Sequence, residues 1–318
     1  MSAQRVHATQ HSVRVAAPAG VVYGMLADAR RWPVFLPSHV HVERMDFDGV
    51  EEQLRVWDVG TDQVRSSLAR RVLDPQARSI EFEQREVAWP GTSTTGSWTV
   101  EPQGEDRSLV TLRQDRPWTA GDASGPGAEA LERDAREQLA HIREMAEHWD
   151  KLDELLLSFE DSVHVQGPPE LVYDFLYRIE DWVDMIPHVE WSSVTEDQPG
   201  VQVAALSTCA EETGETVTVE AVRLCFPHAG RIVYKETVTA ELIAAHSGEW
   251  YLVPDESGVR VVSAHHVMLR EEAVEPVLGA GACLADARRY VREWLGGAST
   301  EALGLAKWHA ESTVQRLR

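Results

Sequence analysis

Apolar residues recur at every second position over 40–117, a periodicity typical of β-strands with one buried face. Gly, Pro and Asp separate the runs, for example at Asp48-Gly49 and Asp74-Pro75, and these residues favour turns. Because consecutive strands joined by short turns pair with each other, we expect an antiparallel meander. The predicted strands are 40–47, 51–59, 63–73, 78–88, 94–102 and 108–116.

Other elements flank this meander on both sides. A strand is predicted at 9–16, then a helix whose first position is Pro18, where the missing N–H costs nothing, and a second short helix over 30–36. After a flexible loop at 119–127, apolar residues line one stripe of a helix predicted from 128 to about 157. One unit is therefore a strand, two short helices, six strands and a long helix.

This unit occurs twice. Residues 12–37 and 162–187 align without a gap and are identical at nine of 26 positions. The identical pairs include Pro18/Pro168, Trp32/Trp182 and Pro37/Pro187. An offset of 152 extends the match to Arg71/Arg223, Phe82/Tyr234 and Trp98/Trp250. The spacing is far longer than a solenoid repeat, so the chain is predicted to hold two copies of one globular domain.

The second copy repeats the predicted order. Its elements are a strand at 160–166, helices at 169–178 and 181–187, strands to about 269 and a helix from about 273 onward. The pair Gly296-Gly297 is expected to break or kink that last helix, with helical spacing resuming over 301–317.

A curved antiparallel sheet with one long helix across its concave face leaves a cavity suited to small ligands. The order of elements resembles the helix-grip fold of the START and Bet v 1 superfamily. We therefore expect an α+β protein of two tandem helix-grip domains, at 1–157 and 158–318.

Composition narrows the classes of function. A net charge of −22 at pH 7 argues against nucleic-acid and anionic-membrane binding, both of which need basic surfaces. No apolar run is long enough to span a bilayer. Cys209, Cys225 and Cys283 fit no metal or redox spacing, so we expect buried, reduced thiols of a cytoplasmic protein.

An arginine is the first candidate for chemistry. On the strand 63–73, Arg70 and Arg71 face opposite sides, and the repeat retains Arg223 at the place of Arg71. An interior guanidinium stays charged and can stabilise an enolate or oxyanion. The alternative is a surface arginine on an edge strand.

Gln114 on the last strand aligns with His266 at an offset of 152. A glutamine can orient a carbonyl or water, and a histidine can exchange a proton near neutral pH. Both could instead face solvent, and the adjacent His265 leaves open which histidine points inward.

Tryptophan is abundant, with 11 residues in the chain. Several of them facing one cavity would suit a flat, conjugated or polyketone ligand, whereas the alternative for each is core packing. The candidates lie on the short helices and on the strands: Trp32, Trp182, Trp57, Trp98 and Trp250.

His39, His41 and Glu43 would share one strand face, like a set of metal ligands. No second cluster completes such a site, and adjacent residues on one strand rarely converge on one ion, so no metal is expected. The chain also lacks a phosphate-binding loop with its lysine and a G-x-S-x-G element. We expect no cofactor.

These residues resemble those of the aromatase/cyclases of bacterial type II polyketide synthases, and the repeat resembles their di-domain class. The motifs that carry the resemblance are Trp32-Pro33-x-Phe35-x-Pro37, Arg70-Arg71-Val72-Leu73-Asp74-Pro75, Gly96-Ser97-Trp98 and Gln114. The positions that line the pocket of single-domain members match Arg71, Gln114, Trp32 and Trp98. Two departures concern hydroxyl groups: Ala69 replaces a serine, and His39 or a neighbour replaces a tyrosine.

The resemblance implies C7–C12 aldol cyclisation, dehydrative aromatisation, or both, of a poly-β-ketone carried by an acyl carrier protein. Arg71 or Arg223 would stabilise the oxyanion, and Gln114 or His266 would shuttle protons. The partners implied are the carrier protein and other synthase components, with Arg30-Arg31 or Arg288-Arg289 as basic patches for docking. A non-catalytic carrier of hydrophobic ligands and a protein-interaction module are the alternatives. The working domain and the reduction state of the substrate at C9 stay open.

Overall fold

The computed structural model describes residues 5–60, 63–86, 93–118, 126–209 and 216–317. The chain divides into two compact units, Met1–Leu152 and Asp153–Arg318. Each unit has its own seven-stranded antiparallel sheet and its own long helix. In the described part of the chain, no helix is both long and apolar enough to cross a membrane.

The first domain follows the predicted order of elements. Its sheet has the strand order β1-β7-β6-β5-β4-β3-β2, so the meander is closed by β1 pairing with β7. The elements are β1 (Arg5–Val15), α1 (Ala19–Ala27), α2 (Trp32–Phe35), β2 (His39–Phe47), β3 (Glu51–Val59), β4 (Val64–Asp74), β5 (Ser79–Glu86), β6 (Ser93–Pro102), β7 (Ser108–Trp118) and α3 (Pro126–Glu147). Residues 87–88 of one predicted strand and 119–125 of the predicted loop lie outside the described residues.

The second domain repeats this order, with the sheet β8-β14-β13-β12-β11-β10-β9. Its long helix α8 packs on β8, β14 and α5. The elements are α4 (Leu152–Leu155), β8 (Leu156–Val165), α5 (Pro169–Tyr177), α6 (Trp182–Met185), β9 (Val189–Gln198), β10 (Val201–Cys209), β11 (Thr216–Phe226), β12 (Arg231–Val238), β13 (Ile243–Asp255), β14 (Gly258–Leu269), α7 (Val274–Leu278) and α8 (Leu284–Leu317).

The long helices differ from the prediction at three places. The helix predicted from about 273 onward is interrupted at 279–283, between α7 and α8, where Gly279 and Gly281 have positive φ. Helix α3 ends at Glu147 rather than near 157, because the chain from Leu156 onward pairs with β14 as β8. Helix α8 runs without a break through Gly296, where a Cβ would collide with the Arg292 side chain that pairs with Asp161. A helical glycine costs only about 1 kcal/mol relative to alanine, which does not end a packed helix.

The prediction of three buried thiols is wrong for two of them. Cys225 is buried, whereas Cys209 is half-buried and Cys283 is exposed. The reason is position: Cys225 lies on the inward face of β11 with Arg223, while Cys283 lies in the loop before α8.

A buried arginine ties a helix end to the sheet in each domain. Arg71 on β4 donates from Nη2 to the Leu26 carbonyl at 2.6 Å, and Arg223 on β11 donates to the Leu176 carbonyl. Both carbonyls belong to the last turn of α1 or α5, where helix carbonyls lack a partner within the helix. The arginine thus fixes where each short helix sits over the sheet.

A glycine lets an aromatic ring cross the neighbouring strand in each sheet. A Cβ on Gly248 would meet the Tyr234 hydroxyl and lie 2.5 Å from the Ala264 carbonyl oxygen. A Cβ on Gly96 would lie 2.7 Å from Phe82 Cζ. Neither glycine has a positive φ, so close approach rather than backbone conformation requires these residues.

We predict that Gly248→Ala destabilises the protein by about 1–3 kcal/mol, since the added methyl group overpacks the sheet against backbone. Chemical denaturation measures the effect. Gly304→Ala is the control, because nothing lies within 4 Å of a Cβ there on α8 and alanine favours the helix by up to about 1 kcal/mol. Equal stabilities of the two variants would contradict the close-approach explanation.

We predict that Glu52→Ala costs about 3–5 kcal/mol, because it leaves the buried Arg71 without its carboxylate partner. Glu52 is fully buried and lies 3.0 Å from Arg71 Nη1 and 2.8 Å from Arg44 Nε. The matched control is Glu51→Ala, which removes an exposed ion pair with Arg70 and is expected to cost far less than Glu52→Ala, because solvent screens that pair. Thermal denaturation of both variants tests this; a small effect at Glu52 would count against the buried pair.

Candidate active site

A cavity of about 520 Å³ lies in the second domain, between the sheet and helix α8. Its volume is that of a typical small-ligand site. Its walls combine apolar and aromatic groups with a few polar ones. The aromatic residues are Trp182, Trp250 and Trp294, and the polar residues include Arg223, Tyr234, Glu236, His246, His265 and Ser299.

Arg223 enters this cavity from β11, as the repeat predicted. Its guanidinium is bound by uncharged acceptors: Gln202 Oε1 at 2.6 Å, the Tyr177 carbonyl at 3.2 Å and the Leu176 carbonyl. Burial lowers the pKa of Arg223, and an arginine starts so high that the side chain remains charged at neutral pH. The positive charge is therefore held in place without a carboxylate in direct contact among the described residues.

In the first domain, the equivalent arginine has a charged partner. Gln202 pairs with Arg223 across the strands in the way that Glu52 pairs with Arg71, so a neutral amide replaces a carboxylate. Burial lowers the pKa of Arg71 to about 10, and the neighbouring Glu52 raises it. Trp32 lies against the same guanidinium, with 4.8 Å from Arg71 Cζ to the ring centroid. The Arg71 charge is thus largely neutralised where it stands.

Five side chains form a continuous hydrogen-bonded chain in the second domain. Glu236 Oε1 lies 2.7 Å from His246 Nδ1, and His246 Nε2 lies 3.0 Å from His265 Nδ1. On the other side of that ring, His265 Nε2 lies 2.7 Å from the Ser299 hydroxyl and 3.1 Å from the Ser263 hydroxyl. The chain connects β12, β13, β14 and α8.

Burial controls the titration of His265 and of the neighbouring Tyr234. It lowers the pKa of His265 to about 2, and the nearby His246, Arg292 and His266 lower it further. Burial also raises the pKa of Tyr234, whose hydroxyl lies 3.2 Å from His265 Nδ1. The imidazole of His265 is therefore neutral, and the phenol of Tyr234 is protonated, at any physiological pH.

The expectation that His266 is the proton-transfer residue of the cavity is wrong. His266 is exposed and its Nδ1 bonds to the Ser158 hydroxyl at 3.0 Å, while His265 is buried. The register gives the reason: Gln114 pairs with Gly96, and the residue that pairs with the equivalent Gly248 is His265. Five residues connect the paired Pro102 and Ser108 in the first domain, and four connect the equivalent Pro254 and Val259. From β14 onward, equivalent residues of the two domains therefore differ by 151 in number instead of 152.

In the first domain, the residues equivalent to this hydrogen-bonded chain have no titratable side chains. Gln84, Thr94 and Gln114 occupy the positions of Glu236, His246 and His265, judged by strand pairing. Gln84 donates to the Ser67 hydroxyl at 2.8 Å, and the buried Oε1 of Gln114 has no hydrogen-bond partner. The first domain therefore has an inward glutamine, as the sequence predicted, but lacks the acid–base groups at these positions.

The tryptophan candidates separate into two groups. Trp182 and Trp250 line the cavity with Arg223, and Trp182 donates its N–H to the Phe175 carbonyl at 3.0 Å. Trp98 is buried on the inward face of β6. Trp57, however, lies on the opposite face of β3 from the core residues, beneath the guanidinium of Arg55, so its assignment to the pocket is wrong.

The first-domain candidates near Arg71 do meet. The His39 ring packs edge-on against Trp32, with 5.2 Å between centroids, and His39 is 8% exposed. The expected shared face with His41 and Glu43 does not form, because a bulge separates His39 from His41 and Glu43 is exposed. Within the described ranges, no group of three His, Cys, Asp or Glu side chains is placed to hold a metal ion.

Sequence reasoning missed Tyr234, Glu236, His246 and Ser299 as site residues. Strand alternation could have identified the first three, because residues an even number of positions apart on a strand face the same side. His246 lies four residues before the inward Trp250, and Glu236 lies two residues after the inward Tyr234. Ser299 was hidden by the expected helix break at Gly296-Gly297, beyond which no residue was assigned to the cavity.

Comparison with known proteins bears on this site. The family described as polyketide cyclase/dehydrase and lipid transport matches residues 6–147 and again 165–288. A granaticin polyketide synthase bifunctional cyclase/dehydratase from Streptomyces violaceoruber is 33% identical over 98% of this chain and 95% of its own. The actinorhodin counterpart from Streptomyces coelicolor is also 33% identical, over 95% of this chain and 96% of its own.

Two solved structures share the whole architecture. The di-domain ARO/CYC StfQ of the steffimycin pathway superposes with a TM-score of 0.85 at 29% identity, covering 96% of this chain and 99% of its own. The di-domain ARO/CYC BexL of the BE-7585A pathway gives 0.84 at 36% identity, with the same coverage. The tandem helix-grip fold and the expectation of an enzyme are confirmed, and the chain belongs to the polyketide cyclase/dehydrase family as a di-domain member.

Proposed function

We propose that the second domain catalyses C7–C12 aldol cyclisation, dehydrative aromatisation, or both, of a poly-β-ketone carried by an acyl carrier protein. One observation carries this proposal: a single cavity holds a charged arginine, flat aromatic walls and a buried acid–base chain. The relatives named above are cyclase/dehydratases of polyketide synthases, which supports the class of substrate.

The cavity would act first by shape. Trp182 and Trp250 present flat apolar surfaces along which a poly-β-ketone can lie folded, so that a methylene meets a ketone within the same chain. Because the cavity holds the two reacting groups close together, less entropy is lost on the way to the transition state, and this supplies much of the acceleration. The regiochemistry at C7 and C12 then depends on where the walls place the bend.

Arg223 would stabilise the negative oxygen that forms in each step. Removing an acidic C–H proton leaves an enolate, and its attack on the ketone leaves an alkoxide. Because Gln202 and two carbonyls fix the guanidinium without cancelling its charge, the field of Arg223 acts on the developing oxyanion. Arg223 is therefore a better candidate than Arg71, whose charge is neutralised by Glu52.

His265 would exchange the protons, in the role assigned to Gln114 and His266 from sequence. Its Nε2 faces the hydroxyls of Ser299 and Ser263 and takes the proton from the substrate carbon. The electron pair of the broken C–H bond stays on the enolate. In the addition step, the proton returns to the alkoxide and gives the aldol hydroxyl. In the dehydration step, a second C–H proton is removed in the same way, and its delivery to that hydroxyl releases water while the enolate electron pair forms the ring double bond.

The carrier protein would dock near the start of α8, the helix that lines the cavity. Arg289 is the better of the two arginines there: its side chain is 67% exposed and pairs with Asp286 on the same helix at 2.8 Å, while Arg288 is bound to the carbonyls of Asp153, Glu154 and Leu156. A local positive charge is needed, because the chain as a whole is strongly acidic. Arg30 and Arg31 remain the alternative patch on the first domain.

We predict that the protein, added to a minimal polyketide synthase, shifts shunt products toward a C7–C12 aromatic ring, as read by mass spectrometry. His265→Ala should reduce that shift about 100-fold or more, the contribution of one acid–base group. His266→Ala is the matched control, since that neighbour is exposed, and it should retain activity. An unchanged product mixture, with and without a ketoreductase, would instead indicate a ligand carrier.

We predict that Arg289→Glu raises the KM for a carrier-protein-linked substrate about tenfold, since charge reversal opposes an acidic partner. The same variant should leave kcat and KM unchanged for the pantetheine-linked substrate, which needs no docking surface. Arg30→Glu serves as the comparison. A larger effect of Arg30→Glu would move the docking surface to the first domain.

A further inference from the structure

The proton that His265 removes from the substrate needs an acceptor, because His265 itself is poorly placed to hold a positive charge. His265 is 3% exposed, and an imidazolium there would face the other histidine His246 and the cation Arg292. Phe159 stacks on one side of the ring at 4.7 Å between centroids and offers no acceptor. A proton taken up at Nε2 is therefore favoured to leave through the other ring nitrogen.

The hydrogen bonds assign one tautomer to each histidine. The Glu236 carboxylate accepts from His246, so Nδ1 of that ring carries the hydrogen and Nε2 is the acceptor. His265 then donates from Nδ1 to His246 Nε2 at 3.0 Å, a shorter contact than the 3.5 Å from the Tyr234 hydroxyl. This leaves His265 Nε2 free of hydrogen on the side of the Ser299 hydroxyl.

We propose that Glu236 and His246 receive and return the proton that His265 exchanges with the substrate. The inference rests on the function proposed above and adds two positioning residues to it. The substrate C–H bond breaks, its electron pair stays on the enolate, and the proton binds His265 Nε2, directly or by exchange with the Ser299 hydroxyl. The Nδ1–H bond of His265 then breaks as that hydrogen moves to His246 Nε2.

The cation formed on His246 is held by a charge that faces it. Glu236 is 10% exposed at its side chain and lies 2.7 Å from His246 Nδ1, so the carboxylate and the new imidazolium form a buried ion pair. Such a pair is worth more in this setting than in water. The reverse transfers carry the proton back to the aldol hydroxyl, which leaves as water.

The charged and titratable groups around the two histidines come from every element packed against them. They are Tyr234 and Glu236 on β12, Arg223 on β11, the outward His266 on β14, Arg292 on α8 with its partner Asp161 on β8, and Glu301 on α8, which pairs with His188. Among the described residues, Glu236 is the carboxylate of this set that contacts one of the two histidines directly, whereas Asp161 is bound to Arg292 and Glu301 to His188. Its removal is therefore expected to lower the proton affinity of the histidine pair.

The test uses the full-length protein and the dehydration of a synthetic pantetheine-linked β-hydroxy ketone, followed across pH. Glu236→Gln keeps an oxygen acceptor but no charge; we expect kcat to fall about tenfold or more. The acidic limb of kcat/KM should move to lower pH, because a neutral amide no longer favours the protonated pair. Glu236→Asp should retain the wild-type limb and recover part of the rate.

Glu249→Gln is the control, because Glu249 lies on the outward face of β13 and pairs with Arg231. This variant should leave both kcat and the acidic limb of kcat/KM unchanged. If Glu236→Gln does not fold, His246→Gln tests the same relay and should lose the same limb. A wild-type rate and limb in these variants, with His265→Ala inactive, would overturn the relay alone. An active His265→Ala would overturn the proposed function first.

Discussion

A buried guanidinium at the junction of a helix end and a curved sheet is the interaction on which each domain depends. Burying a charge costs several kcal/mol unless hydrogen bonds or an opposite charge compensate it. The first domain compensates Arg71 with Glu52, and the second compensates Arg223 with Gln202 and main-chain carbonyls. One substitution at this place turns a neutralised structural charge into one that can act on a ligand.

The two copies therefore share a fold but differ in chemistry. Strand pairing places Gln84, Thr94 and Gln114 in the first domain where the second has Glu236, His246 and His265. Amides and a hydroxyl orient polar ligands, whereas a carboxylate and two imidazoles move protons. The differences gather on the inward faces of β12, β13 and β14, opposite the helix that completes the cavity.

Much of this could be predicted from the sequence because period two fixes which side of a strand each residue faces. Alternation separated Arg71 from Arg70 correctly and found six strands. It failed at His266, because the turn before β14 is one residue shorter than in the first domain and this residue therefore faces outward. It also failed at Trp57, which lies on the outward face of β3 and not in the pocket. The chain beyond Glu147 left its helical pattern because β14 offered Leu156–Val165 a partner strand, an effect of tertiary pairing that no local pattern contains.

The most direct test of the account is the protonation of the two buried histidines, read from the imidazole nitrogen shifts in a ¹⁵N NMR spectrum of the full chain. We expect a neutral His265 that carries its hydrogen on Nδ1 from pH 8 to pH 5, next to a His246 whose hydrogen is also on Nδ1. A His265 with its hydrogen on Nε2, or one that becomes charged in that range, would contradict it.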